Sequence, residues 1–256
     1  MLPLRVVKLG GSELDRPEWL AACARALVVA GPVVVVHGGG RAVTALSQRL
    51  GLPAEKRAGL RVTTTEVAEV VEMVLAGPIN RTVVGALRLA GLDAVGLSGV
   101  DGGLLTAEPL PGGFGHVGRI TGVRTALLHS LLLAGLTPVI APMAPGANPA
   151  AGGLPFNVNA DDAAAAMAGA LQAAELLYVS DVPGVVVDTV PQASLPVGEL
   201  DMLIELGIAA DGMAAKLRAA AAALEAGARA VRIGDLRLLS DATAGTRILA
   251  ATPQPA

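Results

Sequence analysis

Four consecutive valines, Val33–Val36, constrain the fold of this chain of 256 residues more than any other stretch. A continuous β-branched run of this length is typical of a strand that helices cover on both faces of a parallel sheet. The run ends directly in His37 and three glycines, Gly38–Gly40, and a helical pattern resumes over residues 42–50. Because no ordinary turn requires three glycines, we expect a loop whose backbone approaches a ligand closely.

The start of the chain has a similar arrangement. Residues 5–9 are an apolar run interrupted by Lys8, and Gly10 and Gly11 follow at once. A parallel strand delivers its next loop to the carboxyl edge of the sheet, where backbone N–H groups and a helix N-terminus attract anions. Lys8 adds a full positive charge there, so the pattern indicates a phosphate site, although its spacing differs from the common phosphate loop. The alternative is a glycine turn beside a solvated lysine.

Composition excludes several classes of protein. Hydrophobic residues make up 53% of the chain and aromatic residues 2%, so aliphatic side chains must fill the core. The net charge of −3 argues against a main role in binding nucleic acid or anionic membranes. Cys23 is the one cysteine, which excludes a disulfide framework and indicates a small buried hydrophobe. The uncharged stretch 125–160 contains five prolines, and no leader opens the chain, so we expect a cytoplasmic protein with no membrane span.

Strand and helix patterns alternate along the chain and predict an α/β fold, a three-layer α/β/α sandwich with a mainly parallel central sheet. Hairpins are expected near residues 56–63 and 114–119, and a proline–glycine loop through Gly153. Asp15 is expected to cap the first helix, Thr64 or Thr65 the third, and Asp161 or Asp162 a helix over residues 163–173. A lobe boundary is expected near residue 172. The predicted strands lie near residues 4–9, 33–36, 94–99, 138–141, 176–179, 230–234 and after 245, and the other helices over 17–30, 65–75, 80–90, 124–134, 199–206 and 211–226.

Six short motifs occur in a characteristic order. They are Lys8-Leu-Gly-Gly11, His37-Gly-Gly-Gly40, Gly59-Leu-Arg-Val-Thr63, Asn157-Val-Asn-Ala-Asp161, Ser180-Asp-Val-Pro-Gly-Val185 and Asp211-Gly-Met-Ala-Ala-Lys216. In this order and spacing the chain resembles the amino-acid kinase family over nearly its whole length. The third and fourth motifs favour the acetylglutamate branch over the carbamate, aspartate and uridylate kinases.

The resemblance implies an amino-acid kinase-like fold and ATP-dependent phosphorylation of the side-chain carboxylate of N-acetyl-L-glutamate, in arginine biosynthesis. It also implies that residues 1–172 bind the acyl-amino acid and dimerise, and that residues 173–256 bind the nucleotide. Lys8 and Lys216 would flank the transferring phosphoryl group as two cations, with Asp161 holding both ammonium groups. No general base is needed, because the attacking carboxylate is already ionised at neutral pH. The three histidines agree with this, because they lie far apart in the sequence and form no cluster: His37, His116 and His129.

The same resemblance assigns the binding residues. Arg61 would bind the α-carboxylate through two parallel bonds from its planar fork; the alternative is that it belongs to a solvated basic run with Lys56 and Arg57. Asn157 would meet the acetamido group, and Mg²⁺ would be carried on the ATP phosphates without a protein ligand. The remaining implied residues are Gly38, Gly39 and Gly40 for the substrate, and Gly10, Gly11, Ser180, Asp181, Val182, Pro183, Gly184, Val185, Ile208, Ala209 and Ala210 for the nucleotide.

Two other functions compete with this interpretation. A kinase for an aminoadipate or glutamate linked to a carrier protein should show a basic docking surface, and the chain offers only Lys56, Arg57 and Arg61 there. A non-catalytic binding protein of the same fold should lack one of Lys8, Asp161 and Lys216. Because the first strand is predicted to begin near residue 4, we expect no counterpart of the extra helix that arginine-inhibited, hexameric members of the family carry. The expectation is therefore a homodimer that is insensitive to arginine.

Overall fold

A computed structural model describes residues 3–57, 59–146 and 153–250. Residues 147–152 of the expected proline–glycine loop lie outside the described part. Within it, the strands are β1 (Arg5–Leu9), β2 (Val33–His37), β3 (Lys56–Arg57), β4 (Leu60–Arg61), β5 (Ala94–Ser98), β6 (Leu105–Pro109), β7 (Gly118–Val123), β8 (Thr137–Ala141), β9 (Met143–Ala144), β10 (Phe156–Asn157), β11 (Glu175–Val179), β12 (Val186–Val187), β13 (Val190–Pro191), β14 (Ser194–Pro196), β15 (Val231–Gly234) and β16 (Thr246–Leu249).

Helices alternate with the longer strands, as the sequence predicts. The α-helices are α1 (Pro17–Val28), α2 (Gly40–Arg49), α3 (Thr65–Val74), α4 (Asn80–Leu89), α5 (Thr125–Leu133), α6 (Ala160–Ala170), α7 (Leu200–Glu205) and α8 (Asp211–Glu225). A π-turn, Leu75–Ile79, joins α3 to α4, and short 3₁₀ turns cover Asp101–Gly103, Val197–Glu199 and Leu236–Leu239.

One eight-stranded sheet forms the centre of the fold, in the order β14-β16-β15-β11-β1-β2-β8-β5. Neighbouring strands pair in parallel except β15 and β16, which are antiparallel. The prediction of a mainly parallel sheet is therefore confirmed. β1 lies between β11 and β2, so its carboxyl end is flanked on both sides by the loops of neighbouring strands.

Alternate residues of the central strands pack against opposite helix layers. Val6 and Val34 belong to one buried cluster, which includes Met167 of α6 and Leu217 of α8. Their neighbours Val7 and Val35 belong to a second cluster, built with residues of α1 and α4. The continuous valine run is thus buried on both faces, which confirms the three layers. Cys23 is fully buried in α1, and burial raises its pKa to about 12, so it behaves as a small hydrophobe.

Several predicted helix boundaries are wrong for local reasons. Helix α6 starts at Ala160 rather than residue 163, because Asn159 Oδ1 accepts the Asp161 N–H at 2.7 Å and caps the helix. Capping of this helix by Asp161 or Asp162 is therefore wrong. Helix α1 has no side-chain cap; the residue before it is Arg16, not Asp15, and Pro17 opens the helix. The Thr64 cap of α3 is confirmed, since Thr64 Oγ1 accepts the Val67 N–H.

The two hairpins expected from the sequence differ in how well they agree with the structure. The expected hairpin at residues 114–119 is instead the turn and second strand of the longer β6–β7 hairpin, while the expected hairpin at 56–63 is present as β3–β4. The division near residue 172 stays a prediction. Strands from before it form one half of the sheet and strands from after it the other half, joined by the β1–β11 pair.

Residues Thr65–Leu89 form a helical run of 25 residues that, by length and composition alone, could cross a membrane. Gly77 interrupts it with non-helical backbone angles, just before Pro78. Val67 and Val71 on one side of this break, and Val83 on the other, are buried in the core of the molecule. The run therefore consists of two core helices joined at a kink.

Candidate functional site

A cleft of about 390 Å³ opens at the carboxyl ends of β1 and β2. It lies where an open α/β sheet binds its ligands, between the loops that follow adjacent strands. The cleft brings together residues of five of the six motifs, and in four of them residues that were predicted for the site. The residues around it include Lys8, Gly11, Ser12, Gly38, Gly39, Gly40, Arg61, Asn157, Asn159, Asp161, Asp211 and Gly212.

Two lysines meet on one buried carboxylate beside this cleft. Lys8 Nζ lies 2.7 Å from Asp161 Oδ1, and Lys216 Nζ lies 3.9 Å from Asp161 Oδ2. The Lys8 contact is an ion pair without the alignment of a directed hydrogen bond. Lys8 is 6% exposed and Asp161 5%, so the alternative of a solvated Lys8 is wrong. The carboxylate holds two like charges near each other, an arrangement that can receive a multiply charged anion.

Two hydrogen bonds of its backbone fix the position of Asp161. It stands in the first turn of α6, where Asn159 caps the helix by accepting its N–H. The hydroxyl of Tyr178 donates to Asp161 O at 3.0 Å from below. Tyr178 is the β11 residue in register with Lys8 of β1, so the same pair of strands places both partners of the ion pair.

Lys216 lies on α8, one turn beyond Gly212, whose carbonyl oxygen accepts from its Nζ at 3.3 Å. Burial lowers the pKa of the Lys216 ammonium, and the nearby Lys8 lowers it further, while Asp161 and Asp181 oppose the shift. The group therefore loses its proton more easily than a solvated lysine does.

The first two glycine loops touch backbone to backbone. A Cβ on Gly11 would lie 2.6 Å from Gly39 N, and a Cβ on Gly38 would lie 2.9 Å from Gly11 N. Gly10 N–H donates to Val179 O at 2.9 Å, so this N–H extends the sheet and is not open to a phosphate. Among the described residues, the N–H groups of Gly11 and Gly39 have no such acceptor. Both amides therefore remain available as hydrogen-bond donors at the cleft.

Arg61, on β4, is 8% exposed at the rim of the cleft. Its Nη2 donates to Gly40 O at 2.7 Å and to Thr44 Oγ1 at 2.6 Å, while Nη1 is buried with no hydrogen-bond partner in the described part of the chain. Burial lowers the pKa of the guanidinium. Membership of a solvated basic run is therefore wrong. Because both Nη2 hydrogens are already used, Nη1 is the terminal nitrogen of the guanidinium that is left without a partner in the described part of the chain.

Asn157 lines the same cleft as the glycine loops. Its Nδ2 donates to Thr63 Oγ1 at 3.2 Å, and Thr63 Oγ1 in turn donates to the Arg61 carbonyl oxygen. This chain of bonds links the third and fourth motifs. Thr63 is fully buried, so it fixes the distance between the two side chains that face the cleft.

The chain resembles known proteins over nearly its whole length. Residues 3–235 match the sequence profile of the amino acid kinase family. The chain belongs to this family. It is 47% identical over 251 residues to the acetylglutamate kinase of Chloroflexus aurantiacus, which covers 96% of this chain and 97% of that relative. It is 43% identical to the acetylglutamate kinase of Rubrobacter xylanophilus, over 95% of this chain and 94% of the relative.

Solved structures share the fold of this chain. The protein smu.665 from Streptococcus mutans UA159 matches with a TM-score of 0.85 at 27% identity, over 97% of this chain and 99% of that one. Carbamate kinase from Giardia lamblia matches with a TM-score of 0.73 at 17% identity, over 97% and 99% of the two chains. The latter similarity shows the fold alone.

The segments that the family resemblance implies for the nucleotide lie beside the cleft rather than around it. Residues 180–185 follow β11, next to β1, and Gly10 packs close to Ser180. The Ser180 hydroxyl is buried with no partner among the described residues, and Asp181 is near enough to act on Lys216. Ile208 is 41% exposed, Ala209 is buried, and Ala210 precedes the first residue of α8.

Several residues of this amino acid kinase site were not singled out from the sequence. Asn159 had a signal, because asparagine is a preferred N-cap residue. Asp211 has a positive φ of 46° at the start of α8, a conformation that the sequence gives no sign of. Within the described residues, no group of three or more His, Cys, Asp or Glu side chains is arranged to hold a metal ion. The other residues that were missed are Thr44, Thr63, Tyr178, His37 and Asn80.

Proposed function

We propose that this protein transfers the γ-phosphoryl group of ATP to the side-chain carboxylate of N-acetyl-L-glutamate, giving N-acetylglutamyl 5-phosphate in arginine biosynthesis. The observation that carries the proposal is the meeting of Lys8 and Lys216 on Asp161 at the edge of a glycine-lined cleft. Near full-length identity to proteins named acetylglutamate kinase supports the choice of acceptor.

The reaction needs little covalent chemistry from the protein. A carboxylate oxygen of the acceptor forms a bond to the γ-phosphorus while the bond from that phosphorus to the bridging oxygen breaks, and ADP keeps the electron pair. Since the acceptor is already ionised at neutral pH, no proton has to be removed. The protein must hold the two substrates in line and neutralise the charge on the phosphoryl group.

The lysines perform the second of these tasks. Both ammonium groups are anchored on one carboxylate, so neither has to reorganise as charge develops on the phosphoryl oxygens. The N–H groups of Gly11 and Gly39 add neutral donors to the same region. Asp161 contacts no substrate in this scheme; it keeps two like charges within reach of one anion.

The acceptor's other groups would bind on the wall formed by the third and fourth motifs. The unpartnered Nη1 of Arg61 would bind the α-carboxylate, because a buried guanidinium N–H without an acceptor is costly and a ligand oxygen removes that cost. Asn157 would meet the acetamido group and Gly38–Gly40 the rest of the acceptor. This arrangement leaves the side-chain carboxylate directed toward Lys8.

ATP would enter from the side of β11, along residues 180–185 and 208–210. Its Mg²⁺ would be held by the phosphate oxygens, where it offsets their charge. Residues 1–172 would then bind the acceptor and form the homodimer contact, and residues 173–256 would bind the nucleotide. We further propose that the enzyme acts in the cytoplasm.

A carrier-linked acceptor is less favoured by the local structure. Arg57 stacks over the Phe114 ring at 4.5 Å and donates to Gly113 O at 2.7 Å, and Arg61 faces the cleft. Two of the three basic residues that could have formed a docking surface are thus used within the chain. A non-catalytic binding protein is disfavoured because Lys8, Asp161 and Lys216 are all present and in contact.

An assay of ADP release with different acceptors tests the proposal. We expect turnover with N-acetyl-L-glutamate and Mg²⁺-ATP, and little with free glutamate or aspartate, which lack the acetyl group. Preference for an aminoadipate or glutamate attached to a carrier protein would replace the proposed substrate. Absence of turnover with every acceptor, in protein that is shown to be folded, would refute the kinase assignment.

A further inference from the structure

A buried pair of polar side chains lies directly behind the second glycine loop. His37 is the last residue of β2 and Asn80 the first of α4, and both are fully buried. His37 Nδ1 lies 2.8 Å from Gly38 O, and His37 Nε2 lies 3.1 Å from Asn80 Nδ2. Neither residue lines the cleft, so neither can touch a substrate directly.

The position of the proton on His37 follows from the surroundings of Asn80. Asn80 Nδ2 lies 2.9 Å from Val139 O and 3.4 Å from Leu97 O. A carbonyl oxygen can only accept, so the nitrogen of the amide must face these two groups. An amide nitrogen cannot accept, so His37 Nε2 must be the acceptor of this pair. Of the two amide hydrogens, one donates to Val139 O and the other to His37 Nε2, and the 3.4 Å contact to Leu97 O is the weakest of the three. The neutral ring then carries its proton on Nδ1 and donates it to Gly38 O.

Burial keeps this arrangement in one protonation state. Desolvation lowers the pKa of His37 to about 4, although the bond to Gly38 opposes the shift. A second proton on Nε2 would also face the Asn80 donor. The Asn80 amide fits here because the facing residue of β5, Gly96, has no side chain; a Cβ at Gly96 would overlap Asn80 Oδ1. His37 is thus a fixed, neutral donor at neutral pH.

The bond from His37 sets the direction of the Gly38–Gly39 peptide. A trans peptide is planar, with its C=O and N–H on opposite sides, and the described chain contains no cis bond. With Gly38 O held toward the imidazole, the Gly39 N–H points away from it. Gly39 lines the cleft beside Gly11. Glycine restrains its backbone least of all residues, so without this bond the peptide could turn and present its carbonyl oxygen to an anion.

We propose that His37 and Asn80 are positioning residues for phosphoryl transfer, which hold the Gly38–Gly39 peptide so that its N–H faces the phosphoryl oxygens. The inference rests on the proposed kinase function and adds two residues to it. His37 acts through the peptide, and Asn80 acts through His37 by selecting the tautomer.

Nuclear magnetic resonance of the unaltered protein tests the first step without an activity assay. The chain has three histidines, so ¹⁵N-histidine labelling gives few signals, and His37→Gln identifies the signal of His37. We expect a neutral ring at pH 7 with the proton on Nδ1. A proton on Nε2, or a doubly protonated ring, would overturn the inference.

Two substitutions test the effect on turnover. The amide nitrogen of His37→Asn can occupy the place of Nδ1 and donate to Gly38 O, whereas His37→Gln reaches only the place of Nε2. We expect His37→Gln to lower kcat by about 10²–10³-fold, the loss for one missing oxyanion donor, with both KM values little changed. His37→Asn should retain at least about ten times the kcat of His37→Gln.

If His37 only stabilised the fold, the two substitutions would have a different effect. Both substitutions would then lower the thermal midpoint, and kcat per folded molecule would not separate them; equal kcat values for the two variants would contradict the proposal. His129→Gln, at an exposed position on α5, is the matched control. If the unaltered protein phosphorylates no acceptor, the proposed function fails, while the tautomer measurement still decides the geometry.

Discussion

Lys8 Nζ and Asp161 Oδ1 lie 2.7 Å apart at the edge of the cleft, on a strand and a helix that are far apart in sequence. Both side chains are more than nine-tenths buried. A buried ion pair contributes little net stability, but removal of one partner leaves a charge without compensation. Function and stability are therefore coupled at Lys8, and less so at Lys216, whose contact with Asp161 is 3.9 Å long.

Substitution of each lysine by methionine should separate these two effects. We expect Lys216→Met and Lys8→Met each to lower kcat by about 10³–10⁵-fold, the range for a cation on the transferring phosphoryl group. Lys8→Met should also lower the free energy of unfolding by about 3–5 kcal/mol, because Asp161 loses its close partner. Steady-state kinetics and denaturant unfolding measure the two quantities.

Two controls accompany these variants. Arg218→Met changes an exposed cation on the same helix as Lys216 and should leave kcat unchanged. The double variant Lys8→Met with Asp161→Asn removes both charges and should regain stability without regaining activity. Less than a tenfold loss of kcat in Lys216→Met would remove that lysine from the catalytic site.

Arg61→Lys should weaken binding of the acceptor and leave ATP binding unchanged. Lysine keeps the charge, but it cannot donate to Gly40 and Thr44 and also present a second nitrogen to the cleft. The loss should be about 1.5–3 kcal/mol, the value of a hydrogen bond to a charged group. The KM for N-acetyl-L-glutamate should therefore rise about 10- to 150-fold, as measured with each substrate varied in turn.

Arg57→Lys is the matched control, because Arg57 belongs to the same basic stretch but is exposed and stacks on Phe114. It should change neither KM. If Arg61→Lys raises the KM values for ATP and for the acceptor equally, or raises neither, Arg61 does not bind the acceptor's α-carboxylate.

Gly11→Ala and Gly40→Ala should differ in stability, although both glycines line the cleft. The new Cβ at Gly11 would lie 2.6 Å from Gly39 N, whereas at Gly40 the nearest atom is Arg61 Nη2 at 3.9 Å. Overpacking of this kind costs about 1–3 kcal/mol, or a fall of about 2–12 °C in Tm for a chain of this length. Thermal denaturation should show that fall for Gly11→Ala only. Equal Tm values would mean that the two loops can separate.

The sheet and the position of the cleft were predictable from local sequence. β-branched runs such as Val33–Val36 have few alternatives to a strand that is covered on both faces, and glycines at strand ends mark the ligand edge. The start of α6 was not predicted, because Asn159, Asp161 and Asp162 can all cap a helix and only the tertiary structure selects one. The short strands β12 and β13 are too brief to show a periodicity.

Contacts distant in sequence account for the rest of what was missed. His37 opens the second motif, yet nothing in that motif indicates its role, because its partner Asn80 lies on another element and is recognised only by packing. The Arg61 guanidinium donates to Gly40 and Thr44, which both belong to α2. The third motif alone therefore could not show which of its nitrogens are already hydrogen-bonded. Gly10 matched the motif, yet sheet pairing uses its N–H. Motifs thus indicated which loops form the site, but not which atoms in them are free.

The pH dependence of turnover should report the proton on Lys216. Its pKa is lowered first by burial and then by Lys8, so its charge disappears at a lower pH than that of a solvated lysine. We expect kcat/KM for ATP to fall on the alkaline side, below the ordinary lysine value of about 10.4. Lys216→Arg keeps its charge throughout and should lose this alkaline limb.

The free energy of unfolding should increase over the pH range in which the activity falls. Between the folded pKa of Lys216 and its higher unfolded value, the unfolded chain binds more protons, so the free energy of unfolding rises with pH. The loss of activity therefore cannot be ascribed to unfolding. Denaturant unfolding at each pH of the rate profile checks this. An alkaline limb that is identical in Lys216→Arg and in the unaltered enzyme would assign the titration to another group.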